Sequence, residues 1–280
     1  MIVCFDSEGQ LCNRLWGLLP IISHTRQNKE TVIVLFFNRY LKLFPRLNTL
    51  ERFYFPKISS SDPFKDKFAI LIRRWLNTSL IRLQRPLTER KCRLSLVNAW
   101  EHRNDGIDMN LLPLFRQAFS PMDSVVESVE KSLLNMRMDG SVIVGVHIRR
   151  GDYREFEQGR FFYSDAEYAD FMMQSVSQIE ARGKTVTFLI CSDEPVNPIS
   201  YKGLNTLSLP DTSAMHDLYA LSRCDCIIGA PSSFSQWASF YGQVPLWLIW
   251  DKLEPIRLEN FGICIGLDKT TVTTPDEWLS

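Results

Sequence analysis

From residue 141 onward the chain alternates apolar, β-branched runs with stretches of helical periodicity, and few architectures accommodate that order. Strands are expected at 141–148, 185–191, 204–208, 225–229 and 245–249, with helices at 165–182, 213–223 and 233–242. Strands that alternate with helices in this way build a doubly wound α/β sheet. Near the start the same logic recurs: a strand at 2–5, a glycine-containing loop at 6–12, a helix from Asn13 to Asn28 and a strand at 31–37. Such a β-loop-α-β unit should have parallel strands joined by a right-handed crossover.

Between these regions, 45–110 is rich in aromatic and basic residues and less regular, with an amphipathic helix expected around 66–84. Ser120-Pro121 then supplies an N-cap followed by proline at the first helical position, so a helix should run from Pro121 to Met136 and close at Asp139-Gly140. The reading is therefore of two Rossmann-like halves, 1–138 and 139–280, facing a cleft. Open α/β sheets bind ligands at the carboxyl ends of their strands.

At 280 residues there is enough chain for one large α/β domain or two modest ones. Lys plus Arg (32) balance Asp plus Glu (32), so no whole-molecule field recruits nucleic acid and steering must be local. No run of about 18 apolar residues is present. The segment MIVCFDSEGQL carries acidic residues at 6 and 8 and lacks the basic region of a signal peptide, which points to a cytoplasmic protein. Cysteines at 4, 12, 92, 191, 224, 226 and 264 sit mostly in apolar runs and read as reduced core thiols; Cys224-Asp225-Cys226 has no second pair to complete a zinc site. His24, His102 and His216 show no carboxylate partner in the sequence and read as structural.

Basic residues concentrate between Lys65 and Arg93, against only Asp66 and Glu89. A solvated, half-buried helix is the ordinary outcome for that pattern. The sharper alternative is an interfacial helix in 66–93 that rests on an anionic inner membrane face or contacts a diphosphate-linked lipid.

Chemistry gathers where the strand 141–148 ends, in His147, Arg149, Arg150 and Asp152. Arginine suits phosphate because its planar fork makes paired, charge-assisted hydrogen bonds and never loses its proton. Alternation sends His147 and Arg149 to one face and Arg150 to the other, so one guanidinium can meet a ligand while the second is structural, paired with Asp152 or another carboxylate. Further on, Gly229-Ala230-Pro231-Ser232-Ser233 opens a helix whose free N–H groups and dipole favour an anion, although an ordinary N-cap has the same sequence.

Together these stretches resemble a known family. VHIRRGDY at 146–153 and DLYALSRCDCIIGAPSSFSQWASF at 217–240 are similar to the motifs of GDP-fucose-dependent fucosyltransferases, closest to the α-1,2 family and related to the α-1,6 and protein O-fucosyltransferases. GQLCNRLW at 9–16 and CSDEP at 191–195 resemble that family's weaker blocks, with Cys12 and Arg14 departing from its usual glycine and glutamine. The resemblance implies a GT-B fold with the first half, 1–138, on the acceptor side and the donor, GDP-fucose, bound mainly by the second, 139–280, no required cofactor or metal, and inversion at the anomeric carbon during transfer to a saccharide or lipid-linked saccharide. It implies Arg149 as the catalytic arginine on the β-phosphate and Asp152 as the base. Donor contacts are implied at Asn13, His147, Arg149, Arg150, Asp193, Ser232, Ser233 and Phe234, and at Asp217, whose carboxylate would accept both N–H donors of the guanine edge. Pairing of Asp152 with Arg150 would weaken it as a base and favour Glu155, Glu157 or a dissociative route. Another donor sugar or linkage, and a non-catalytic nucleotide-sugar or glycan-binding module, stay open at this stage, as does the oligomeric state.

Overall fold

The computed structural model describes residues 1–5, 9–35, 37–56, 95–137, 140–210 and 213–279. The helix expected around 66–84 and the basic segment 66–93 lie outside the described residues. Two compact units divide the chain, Met1–Met122 and Asp123–Ser280.

In the first unit, β1 (Ile2–Cys4), β2 (Val32–Val34), β3 (Phe53–Tyr54) and β4 (Ser95–Val97) form a sheet of order β3-β2-β1-β4, parallel at every pairing. Helix α1 (Leu11–Asn28) is the crossover from β1 to β2, and Leu15, Trp16, Leu19 and Ile21 on it are fully buried. The expected strand at 31–37 is realised over only three residues, and β3 and β4 are too short for a period of two to show in the sequence. A further helix, α2 (Leu112–Ala118), buries Phe115 and Ala118.

The second unit begins with α3 (Asp123–Met136), two residues after the expected start at Pro121. There follow β5 (Val142–Ile148), α4 (Asp165–Glu180), β6 (Val186–Ser192), β7 (Thr206–Leu207), α5 (Ala214–Leu221), β8 (Cys226–Gly229), α6 (Ser233–Gly242) and β9 (Leu246–Leu248). These five strands run parallel, and an antiparallel pair, β10 (Gly262–Gly266) and β11 (Lys269–Val272), extends the edge to give the order β11-β10-β9-β8-β5-β6-β7. All seven residues of β5 are buried, as a central strand covered on both faces must be. The doubly wound α/β reading is borne out here, whereas β10 and β11, rich in glycine and threonine, carry no alternation that announces them.

The division falls before α3, not after it at residue 139, because α3 is tied to the second unit. Tyr219 and Arg223 both reach Glu130, at 3.0 and 2.8 Å, and the Arg137 guanidinium grips both carboxylate oxygens of Asp225 at 2.9 Å. Among the described residues six cysteines are free and buried, no helix is long and apolar enough to cross a membrane, and no group of three His, Cys, Asp or Glu side chains is arranged to hold a metal ion.

Close packing at the end of α6 fixes one glycine. A Cβ on Gly242 would lie 2.0 Å from the Ser222 carbonyl oxygen, inside contact distance of backbone that has no rotamer to yield, whereas one on Gly106 would meet nothing. Gly242→Ala is therefore expected to destabilise the protein by roughly 1–3 kcal/mol in denaturant unfolding, with Gly106→Ala within about 0.5 kcal/mol of the parent.

Candidate active site

The order of the second sheet decides where a ligand can sit. From β5 the chain winds outward through β6 and β7; it then returns to the other side of β5 for β8 and winds outward again through β9. The connections after β5 and β8 therefore leave neighbouring strands in opposite directions, and the carboxyl ends of these two strands flank the switch point, the usual ligand crevice of such sheets. His147 to Asp152 follow from β5 at this edge and Ala230 to Phe234 from β8.

Arg149 lies between two carboxylates, with Asp152 at 2.7 Å from one terminal nitrogen and Asp193 at 2.9 Å from the other. Asp193 follows β6, and its second oxygen accepts the Arg150 N–H at 2.8 Å while its own N–H donates to the Ile148 carbonyl at 3.3 Å. One aspartate thus clamps the ends of β5 and β6 and positions the guanidinium. Gly151 keeps the turn close: a Cβ there would sit 3.2 Å from the Asp193 carboxylate.

The second guanidinium goes elsewhere. Arg150 is buried and donates to Asp165, in the first turn of α4, at 2.6 Å. Burial alone would raise the Asp165 carboxyl, but hydrogen bonds from Arg150, from the Tyr201 hydroxyl at 2.6 Å and from the Asn197 N–H at 3.0 Å hold it below its usual range. The two adjacent arginines thus part to different carboxylates, Arg149 to Asp152 and Asp193 and Arg150 to Asp165. The alternative pairing of Asp152 with Arg150 is corrected: Asp152 pairs with Arg149, because Asp165 already takes Arg150.

His147 is buried, its Nδ1 is 2.7 Å from Ser235 Oγ, and its ring stacks on Phe234 at 4.7 Å. Burial, and then the charge of Arg149, push its pKa down to about 3, so the imidazole is neutral and joins the tip of β5 to the start of α6. Its carbonyl accepts from the Tyr168 hydroxyl at 3.4 Å. Tyr153 adds a second tie, its hydroxyl donating to the Pro231 carbonyl. Ser232 caps α6, its hydroxyl accepting from the Phe234 N–H at 3.2 Å, and Ser233 is the first helical residue. A helix start with a neutral histidine behind it and an arginine beside it suits an anion.

Asp217 lies on α5, half-buried, next to Cys191, whose thiol approaches the Asp217 carbonyl at 4.0 Å. Cys191 is the register partner of His147, so this carboxylate belongs to the same edge of the sheet. Burial pushes its pKa up to about 6, offset in part by a hydrogen bond from the Cys191 thiol, and among the described residues no cation contributes. Asn13 is in the first turn of α1, in the other unit. Glu155 and Glu157 are exposed in the loop after β5.

The sequence reading missed Asp165, Tyr201, Tyr153 and Ser235, which hold the motif residues in place. Ser164 and Glu167 form a capping box that marks the start of α4, but nothing local pairs Asp165 with an arginine fifteen residues earlier. Carboxylate partners also exist for two histidines thought to lack them, His24 with Glu30 at 3.1 Å and His102 with Asp105 at 2.8 Å, and both remain structural.

No curated protein matches the chain. Among solved structures, the fold is similar to that of NodZ α-1,6-fucosyltransferase soaked with GDP-fucose, at 17% identity over 88% of this chain and 93% of that one with a TM-score of 0.51. Fucosyltransferase NodZ from Bradyrhizobium gives 16% identity over 89% and 94% with a TM-score of 0.53, and a mutant of Arabidopsis thaliana FUT1 in complex with GDP gives 12% over 89% and 70% with 0.54. At these identities the likeness concerns the fold. The profile of glycosyl transferase family 11 matches residues 102–244, more than half of the chain, including the whole Arg149 cluster and the α6 start. These matches bear out the resemblance to fucosyltransferases seen in the motifs. The chain belongs to glycosyl transferase family 11.

Proposed function

We propose that the protein transfers L-fucose from GDP-fucose to a hydroxyl of a saccharide acceptor, with inversion and in α-1,2 linkage, in the synthesis of a surface glycan or polysaccharide. The observation that carries this reading is Arg149, oriented by Asp193 at the switch point of the sheet beside the capped start of α6. NodZ, whose fold is similar, was soaked with GDP-fucose, and a FUT1 mutant of similar fold is in complex with GDP.

In this reading the acceptor oxygen attacks the anomeric carbon, the bond from that carbon to the β-phosphate oxygen breaks, and its electron pair leaves with the diphosphate. Arg149 and the N–H and hydroxyl groups of Ser232 and Ser233, ahead of Phe234, meet the growing negative charge. Asp152, 57% exposed and paired among the described residues with a terminal nitrogen of Arg149, is the side chain that gives way when phosphate takes that nitrogen. It is then free to accept the proton of the attacking hydroxyl. Asp193 keeps its hold because the Arg150 N–H anchors it.

Arg150 has a supporting part: bound to Asp165 beneath the loop, it keeps the backbone that presents Arg149 in place. Asp217 is the base-recognition group. Among the described residues no cation lies beside its half-buried carboxylate, so guanine, with two adjacent N–H donors, suits it, and a base lacking them leaves that acceptor poorly paired.

Two outcomes test this. Arg149→Ala should lower kcat for fucose transfer by roughly 10²–10³-fold, the loss expected from removing one preorganised donor to a developing anion, with Arg149→Lys restoring only part of it; near-normal turnover of the alanine variant refutes the role, and product NMR reads the linkage. The proton linkage of Asp217 has a definite sign, because guanine needs the ionised carboxylate and the free protein's pKa is raised to about 6. GDP affinity, measured by calorimetry, should be flat above that pH and fall by up to about tenfold per pH unit below it. Asp217→Asn should flatten this profile and erase the preference for GDP over ADP and UDP in thermal-shift measurements.

A further inference from the structure

Beyond Asp152 the chain makes a turn that exposes an aromatic ring at the edge where Arg149 lies. Phe156 is 48% exposed, and its ring contacts Tyr153 at 5.3 Å on one side and Phe161 at 6.3 Å on the other. Phe161, itself buried, also meets Trp250 edge-on at 5.8 Å, and Trp250 is 45% exposed. The rings thus form a continuous row, Tyr153–Phe156–Phe161–Trp250. Tyr153 is near enough to Arg149, Asp152 and Asp193 to feel their charges, so one end of the row adjoins the proposed reaction centre. Trp250 follows β9 at the carboxyl edge, where Tyr163 fastens the preceding Ile249 carbonyl at 2.7 Å.

The backbone beside Phe156 is not relaxed. Glu157 and Gln158 are both left-handed, at φ 48° and 59°, and Gly159 follows at 78°. Successive non-glycine residues in that region are costly and persist where the surrounding structure over-determines them. Here the strained turn holds Phe156 outward. Charged side chains surround the row: Arg160 lies over Phe161 at 5.1 Å, and Glu155, Glu157 and Asp251 are exposed.

We propose that Phe156 and Trp250 are the stacking surface for the acceptor saccharide. Pyranose rings have one face of C–H groups and a rim of hydroxyls, and two exposed rings bordered by carboxylates and a guanidinium match both parts. Continuity through Tyr153 with Arg149 and Asp152 selects the sugar that receives the transferred group over an unrelated partner. The inference rests on the transferase reading above and names residues for its second substrate.

Initial rates of transfer from GDP-fucose to lactose and N-acetyllactosamine, with hydrolysis of GDP-fucose in the absence of acceptor, test it in the full chain. Phe156→Ala and Trp250→Ala should each raise the acceptor KM by about fivefold, the scale of one lost ring contact, with donor KM and hydrolysis within about twofold of the parent and Phe156→Tyr close to it. An unchanged acceptor KM overturns the proposal, and so does a loss confined to donor KM. If the parent shows no turnover of GDP-fucose at all, the donor reading fails and the stacking surface is judged separately: titration with the same two oligosaccharides must change the fluorescence attributable to Trp250, by difference from Trp250→Phe. No such change overturns the surface whatever the donor.

Discussion

Asp193 ties the end of β5 to the end of β6, and the arrangement of the site depends on that tie. One of its oxygens takes the Arg150 N–H and the other takes the Arg149 guanidinium, while its own N–H closes back on Ile148. A charge-assisted bond to backbone and one to a side chain from the same carboxylate leave the arginine little freedom, which is what preorganisation against a developing anion requires. Because the strands beneath are buried and parallel, the tie sits on a rigid platform.

The two adjacent arginines illustrate how one sequence feature divides into two physical tasks. Arg150 is buried with Asp165, and Tyr201 and Asn197 complete the coordination of that carboxylate, while the Arg150 Nε is buried without a hydrogen-bond partner among the described residues. Buried pairs of this kind add little net stability, but losing one partner strands the other charge at a cost of about 3–5 kcal/mol. Arg149, in contrast, is shared between an anchored carboxylate and an exposed one, an arrangement that can exchange a partner for a ligand. His147 contributes no charge; its neutral ring, held by Ser235 and Phe234, joins the first motif to the last.

Much of the second unit was legible because it is regular. The helix at 233–242 is realised residue for residue, and β5, β6, β8 and β9 fall within a residue or two of their expected spans, since buried parallel strands advertise themselves as apolar runs. Segments of two or three residues in the first unit do not reach the length at which a period can be seen. Threonine and glycine hide β10 and β11, and the contacts of Glu130 and Asp225 that draw α3 into the second unit join residues about ninety positions apart. Among the site residues, the motif side chains were recognisable by chemistry alone, whereas their holders, Asp165, Tyr153, Tyr201 and Ser235, are ordinary residues without a local signal.

Alone, the amino-acid order determined the α/β winding, the placement of His147, Arg149, Arg150 and Asp152 just past a core strand, and the family to which these motifs belong, because burial, periodicity and guanidinium chemistry act over a few residues. Which carboxylate each arginine holds, where the boundary between units falls, and which aromatic rings stand in solvent beside the Arg149 cluster were decided only by the tertiary structure. Those depend on pairings between residues far apart in the chain, which no local pattern encodes.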